Sequence, residues 1–382
     1  MKIAILSESF FPVINGVCIS TDILAEGLSA RGHSVTVICP KNKKKFDDNS
    51  KNYNIIRTPS IISFYGYALP FPSQRFIFDA LDKVNPDIVH CQIPFTYGHI
   101  SYKWAKIHKI PYVSMCHTQY VYYTHYTGQI FSHFTRKYAI SFFRKFYNRS
   151  DRVLCPSKMM KKELESYGIS KDIYIIPTGI KLPKAENKEI TLDIKKKFHI
   201  NENDKVIIYL SRIAKEKNIY MLVDAFEQIS KDYTDVKLMI CGNGPEYKNL
   251  IKYVDSLTSR ENIILTGSVE KSKVYDYLYC GDIFAFPSYT ETQGLAVNEA
   301  MACGLGVVAV NAGGVPESIE NNKDGILSSN NVNSFVQKLK ELIDNEKLLK
   351  KIKENAKNKS VSFTTEKMID EYEKLYKELL NE

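Results

Sequence analysis

One rhythm runs through this chain twice: a short run of consecutive Ile, Val and Leu, then a longer stretch with helical spacing. The runs Lys2–Leu6, Ser34–Ile38, Asp87–His90, Tyr112–Met115, Arg152–Cys155 and Asp172–Ile176 do not alternate apolar with polar residues. A strand of that kind is covered on both faces, as in a parallel sheet sandwiched by helices. Helical spacing fills most of the intervals, around Thr21–Ala30, Phe76–Val84, Tyr102–His108, Thr135–Asn148 and Met159–Tyr167. After the break Pro177-Thr178-Gly179-Ile180-Lys181-Leu182-Pro183 the rhythm resumes, with strands expected at Val206–Leu210, Val236–Ile240, Ile263–Leu265, Ile283–Phe286 and Val307–Ala309. The pattern predicts an α/β chain of two doubly wound, Rossmann-like domains, 1–180 and 181–360, with ligands held outside the carboxyl ends of the strands. Residues 361–382 follow as a closing amphipathic helix, with Met368, Tyr372, Leu375, Tyr376 and Leu379 on one stripe.

Several function classes drop out early. No eighteen apolar residues follow one another, which argues against a membrane-spanning helix, and the apolar start Met1–Leu6 is too short for a signal peptide. The eight cysteines form no Cys-x-x-Cys pair and sit singly in apolar segments, as reduced, buried thiols do. Charge is uneven: residues 1–185 hold 25 of the 52 Lys+Arg but only 12 of the 43 Asp+Glu. All excess positive charge therefore lies in the first half, which suits an anionic partner or a plain solvated basic face. Basic stripes interleaved with the stacking motifs of nucleic-acid modules are missing, so nucleic acid is not the expected partner.

The densest chemistry lies in residues 288–317. Glu291 and Glu299 stand eight positions apart, and the loop Thr292–Gly294 feeds an apolar helix start. Such a junction aims backbone N–H groups and a positive dipole end at one point, which suits a phosphate. The flanking carboxylates suit hydroxyl groups. Phosphate plus polyol describes a nucleotide-sugar. A second cationic group, Ser211-Arg212-Ile213-Ala214-Lys215-Glu216-Lys217-Asn218, leaves the strand Val206–Leu210. Positive charge there can stabilise a departing diphosphate. The chain contains no Asp-x-Asp triplet to clamp a diphosphate through a metal. Arg212, Lys217 and the helix dipole can take that part, so no essential metal is expected. A pair of carboxylates across a scissile bond would be the hydrolytic alternative. Glu299, one helical stretch beyond Glu291, is poorly placed for it.

Taken together, the Glu291…Glu299 string, the Glu-Ala-Met-Ala that follows and Gly313-Gly314-Val315-Pro316-Glu317 resemble the retaining glycosyltransferases of family 4, which share the GT-B architecture. That likeness implies two Rossmann-like domains facing a central cleft, with the last helix crossing back to the first domain. It implies that Arg212 and Lys217 contact the donor diphosphate and that Glu291 holds a sugar hydroxyl. The backbone of Gln293, Gly294 and Leu295 would grip phosphate and sugar, and Glu299 the ribose. His117, after the strand Tyr112–Met115, would line the reactive face of the donor sugar. Gly16, in Asn15-Gly16-Val17, would approach a phosphate, although many relatives have two glycines at this point. Gly242 and Val269 would belong to loops closing around the donor. Transfer would retain anomeric configuration by front-face attack.

His117-Thr118-Gln119-Tyr120, Tyr123-Thr124-His125-Tyr126, Phe146-Tyr147-Asn148-Arg149-Ser150-Asp151 and the Thr-Gln-Gly of the carboxylate motif resemble bacterial glucosyltransferases acting on 1,2-diacylglycerol. The likeness implies a UDP-sugar donor, a lipid acceptor and an α-glycolipid product. It fits a cytoplasmic protein held peripherally at an anionic membrane surface through residues 131–146, 65–72 or both. A polyisoprenyl-linked or other envelope-polysaccharide precursor is the alternative acceptor. A nucleic-acid-binding protein and a sugar-nucleotide epimerase are the readings from other classes.

Overall fold

The structure, a computed structural model, describes residues 1–62, 68–70, 73–119 and 129–381. The chain divides into two compact units, Met1–Gly179 with Thr365–Glu382, and Ile180–Thr364.

The first unit has strands β1 (Lys2–Leu6), β2 (Ser34–Pro40), β3 (Asn54–Thr58), β4 (Ser60–Ile62), β5 (Ala68–Pro70), β6 (Ile88–Cys91), β7 (Tyr112–Met115), β8 (Arg152–Cys155) and β9 (Ile173–Ile175). Its helices are α1 (Gly16–Ala30), α2 (Gln74–Val84), α3 (Thr96–His108), α4 (Gln129–Tyr147) and α5 (Lys158–Ser166). Seven strands form one parallel sheet in the order β3-β2-β1-β6-β7-β8-β9, and β4 pairs with β5 in a small antiparallel ribbon. The buried Ile, Val and Leu of these strands explain the sheet: Ile3, Ala4, Ile5 and Leu6 of β1 are all inaccessible to solvent. Strand order turns back between β1 and β6, which makes their carboxyl ends the ligand-binding edge of such a sheet.

In the second unit the elements are α6 (Lys188–Lys197), β10 (Lys205–Leu210), α7 (Ile219–Ile229), β11 (Val236–Cys241), α8 (Tyr247–Asp255), β12 (Ile263–Gly267), α9 (Val274–Leu278), β13 (Ile283–Phe286), α10 (Leu295–Ala302), β14 (Gly306–Val310), β15 (Ile326–Ser328), α11 (Val332–Asp344) and α12 (Glu346–Ser360). Six parallel strands run β12-β11-β10-β13-β14-β15. Here the order turns back between β10 and β13. Both cationic and carboxylate motifs of the sequence leave the sheet at that point.

The last helix, α13 (Thr365–Asn381), belongs to the first unit. It buries Met368, Ile369, Tyr372, Leu375, Tyr376 and Leu379 in the core that also holds β1 and α1. Each such side chain contributes roughly 1.5–3 kcal/mol by burial. The chain passes from one unit to the other after Gly179 and back after Thr364. β3, the β4–β5 ribbon and β15 are additions to the strands expected from sequence. β3 lies at the sheet edge with a polar, half-buried pattern, and β15 is three residues long. Seven cysteines are buried and Cys303 is half-buried, all of them unbridged. Among the described residues no helix is long and apolar enough to cross a membrane.

Candidate active site

The second unit brings two of the sequence motifs into direct contact. β10 delivers Ser211–Ala214, then the short turn Lys215–Lys217, then Asn218 in the left-handed region at φ 55°. β13 delivers the loop that carries Glu291. Lys217 Nζ donates to Glu291 Oε1 at 2.5 Å, and both side chains are mostly buried, 19% and 16% exposed. Thr290 Oγ1 donates to the Glu216 carbonyl at 3.3 Å, a second stitch between the same two loops. Arg212 stays half-exposed and gives Nη2 to Glu216 Oε1 at 3.0 Å. An ammonium carries three N–H donors and a guanidinium five, so each cation keeps donors beyond the one its carboxylate uses.

Gln293 is buried, and Gly294 caps α10 at φ 85°. Leu295 is the first residue of α10, so the first-turn N–H groups of this helix point out of its amino end. Glu299 lies on the same helix, one turn further on. Burial pushes its carboxyl up to about 7, and the charge of Lys271 works against that shift. It is thus poised to exchange a proton near neutral pH.

Gly242 serves the loop in a way the sequence did not show. A Cβ on Gly242 would lie 1.9 Å from the Ser211 carbonyl oxygen. The space that glycine leaves is filled by the backbone that carries Arg212. Ser211 N donates to the Cys241 carbonyl at 3.1 Å and Ile213 N to that of Asn243 at 3.0 Å, which fixes this strand exit. Val269, beyond β12, packs half-buried on the core.

In the first unit Gly16 opens α1 after the Asn15 cap, whose side chain accepts from Cys18 N. Among the described residues, and apart from its chain neighbours and its own helix backbone, no atom lies within 4 Å of a Cβ built there. His117 follows β7 and is held by Gln92, whose Oε1 accepts from its Nε2 at 2.6 Å. Burial pushes the His117 imidazole down to about 4, so the ring is neutral at physiological pH. Two residues at this edge escaped the sequence reading. Glu8, two residues past β1, accepts the Tyr97 N–H at 2.7 Å at the start of α3, and burial pushes its carboxyl up to about 7. Gln92 follows β6. The only signal for either was a polar residue within two positions of the end of a buried strand.

The aromatic loop 65–72 and the motif 123–126 fall outside the described residues, apart from Ala68–Pro70 of β5. Along α4 the rings of Phe143, Phe146 and Tyr147 are buried in the core. They are not available to a bilayer. Arg136, Lys137, Arg144 and Lys145 are exposed, as is Tyr138 at 76%.

Comparison with known proteins agrees with this architecture. Residues 14–183 match the family described as Glycosyltransferase Family 4, and residues 191–359 match Glycosyl transferases group 1. The chain is 31% identical to the alpha-monoglucosyldiacylglycerol synthase of Acholeplasma laidlawii, covering all of this chain (100%) and 98% of that protein. It is 32% identical to the protein of the same name from Streptococcus pneumoniae, over 81% of this chain and 71% of the relative. Among solved structures, Anabaena Alr3699/HepE in complex with UDP-glucose superposes with a TM-score of 0.78 at 17% identity, over 99% of this chain and 100% of that one.

Proposed function

The chain belongs to glycosyltransferase family 4, and from that premise we propose that it moves a glucosyl unit from UDP-glucose to a membrane lipid hydroxyl of the 1,2-diacylglycerol kind, with retention at the anomeric carbon. One observation carries the donor half of this reading: the Lys217–Glu291 clasp at the carboxyl ends of β10 and β13, beside Arg212 and the amino end of α10. The ion pair gives one end a cation for the diphosphate and the other a carboxylate for a sugar hydroxyl. The names of the two synthases support the acceptor half.

In the proposed reaction the bond from the anomeric carbon to the phosphate oxygen breaks. A bond from the same face of that carbon to the acceptor oxygen forms. The acceptor's proton passes to the leaving phosphate oxygen, so UDP and an α-glucoside result. Lys217, Arg212 and the first-turn N–H groups of α10 stabilise the charge that gathers on the diphosphate. Because these donors supply the positive charge, the reaction is proposed to run without an essential divalent ion. Activity that persists in excess chelator is the expected result. The exposed Arg136, Lys137, Arg144 and Lys145 of α4 suit an anionic bilayer surface, each worth about 1 kcal/mol close to it.

Calorimetry with UDP-glucose, UDP-galactose, UDP-GlcNAc and GDP-mannose tests the donor. Tightest binding of UDP-glucose is expected, and no binding of any sugar nucleotide overturns the reading. Product analysis on diacylglycerol against a polyisoprenyl lipid tests the acceptor. The same titration has a pH signature. Hydroxyl donors favour the ionised form of Glu299, whose carboxyl ionises at about 7 when no ligand is bound. Below that pH binding must expel a proton, so donor affinity weakens as pH falls and levels off above it, by up to about tenfold per pH unit. Donor binding near neutral pH is expected to release a proton from Glu299, read from the dependence of binding heat on buffer. A Glu299→Gln protein loses this proton release.

Gly16 gives a second check. Since an added Cβ meets nothing within 4 Å, Gly16→Ala is expected to melt no lower than the parent. The methyl group stands where a phosphate approaches the backbone, so donor KM rises about tenfold. Unchanged donor KM removes Gly16 from the site.

A further inference from the structure

We propose that Gln92, His90 and Tyr376 are positioning residues that hold His117 as its Nε2–H tautomer, leaving Nδ1 as the acceptor nitrogen for a donor-sugar hydroxyl. This rests on the reading of His117 as a group that faces the donor sugar. The four side chains form a single file inside the first unit. His117 Nε2 donates to Gln92 Oε1 at 2.6 Å. Gln92 Nε2 donates to His90 Nε2 at 3.2 Å. His90 Nδ1 donates to the Tyr376 hydroxyl oxygen at 2.6 Å. His90 and Tyr376 are inaccessible to solvent and Gln92 nearly so, at 1%.

The direction of the file follows from what each atom can do. An amide oxygen only accepts and an amide nitrogen only donates. Gln92 Oε1 therefore requires a proton on His117 Nε2, and Gln92 Nε2 requires a bare Nε2 on His90. Burial pushes His90 down to about 3, so its ring is neutral and holds one proton, which must sit on Nδ1. Tyr376 receives it. A neutral His117 likewise has one proton, and it is on Nε2.

This makes a hydroxyl on α13 the far end of the control. Without it, His90 Nδ1–H is a buried donor with no acceptor, a state that costs roughly 1–3 kcal/mol. The ring relieves the cost by moving its proton to Nε2. That N–H then faces the amide nitrogen of Gln92, so the amide turns over and presents nitrogen to His117. His117 must accept at Nε2 and carry its proton on Nδ1. A sugar hydroxyl that had donated to Nδ1 loses its acceptor.

The test is nitrogen-15 NMR of ring-labelled histidines in the full-length protein at neutral pH. The expected result is His117 protonated on Nε2 and His90 on Nδ1. In Tyr376→Phe, which keeps the ring, the two nitrogens of His117 exchange character or average. In the same variant KM for UDP-glucose rises about tenfold while the affinity for UDP is unchanged. Gln92→Leu breaks the file at its middle, and tautomer averaging at His117 is expected there too. A His117 protonated on Nδ1 in the parent, or an identical tautomer in both variants, overturns the proposal. Failure of the donor reading is separable: UDP-glucose would then not bind, yet the tautomer would still follow Tyr376.

Discussion

Replacing Lys217 with alanine is expected to lower turnover about a hundredfold, roughly 2.7 kcal/mol of barrier. Two effects add. In the proposed site the ammonium that stabilises the leaving diphosphate is lost, and the carboxylate it held at 2.5 Å is no longer neutralised. Glu291 is then a mostly buried negative charge beside a negative ligand. Donor affinity therefore falls together with turnover. Glu291→Gln in the Lys217→Ala background removes that repulsion and is expected to recover part of the affinity but little of the turnover. Two residues in contact do not add independently, so the double variant costs less than the sum of Lys217→Ala and Glu291→Ala. Lys217→Arg keeps the charge but replaces a compact ammonium with a planar fork, and is expected to retain binding better than turnover. Steady-state kinetics with UDP-glucose, beside calorimetry with UDP, separates these outcomes. Near-normal turnover in both single alanine variants contradicts the proposed site, provided thermal melting shows each is folded.

The two sheets were legible because buried parallel strands are written as local apolar runs. Ile3–Leu6 and Ile283–Phe286 need only their own composition to declare themselves. β3 was silent because an edge strand has one neighbour and keeps polar residues: Arg57 lies on it, with Nε bound to Asp48 at 2.8 Å. The candidate site was legible in part for a different reason. Its motifs are contiguous stretches at strand exits, and a strand exit is where a doubly wound sheet offers a ligand its backbone donors. What joins those motifs is not contiguous. Lys217 and Glu291 are 74 positions apart, and His90 and Tyr376 are 286 apart. No periodicity reports such a pair. His90 also lacked any local sign of its role, because a histidine in a run such as Ile88-Val89-His90-Cys91 reads as one more buried residue. Glycine was legible as a residue type and illegible as a reason. At Gly242 the sequence marked only a loop after a strand, whereas the packing reason is non-local: a Cβ there would lie 1.9 Å from the Ser211 carbonyl oxygen.

Backbone crowding of the same kind gives the second large effect, at Gly314. Its N–H donates to the Glu291 carbonyl at 2.8 Å. A Cβ there would lie 2.2 Å from the Thr292 carbonyl oxygen, 2.6 Å from the Thr292 carbonyl carbon and 3.0 Å from Gln293 N. All three atoms are backbone, so no side chain can turn aside. The loop 291–294 must retreat by about an ångström to admit one methyl group. It carries Glu291, Gln293 and Gly294 at the start of α10, and a displacement of that size at a reacting centre costs on the order of a hundredfold in rate. The core beneath is untouched: Val297, Ala300 and Met301 stay packed against β13 and β14. Gly314→Ala is therefore expected to fold, with a stability loss of roughly 1–3 kcal/mol from overpacking, and to lose about a hundredfold in turnover and at least about tenfold in UDP-glucose affinity. Circular dichroism and thermal melting report the first outcome, calorimetry and kinetics the second. A folded Gly314→Ala protein with parental donor affinity would show that the position of this loop does not govern the donor. The placing of phosphate and sugar against Gln293, Gly294 and Leu295 would fall with it.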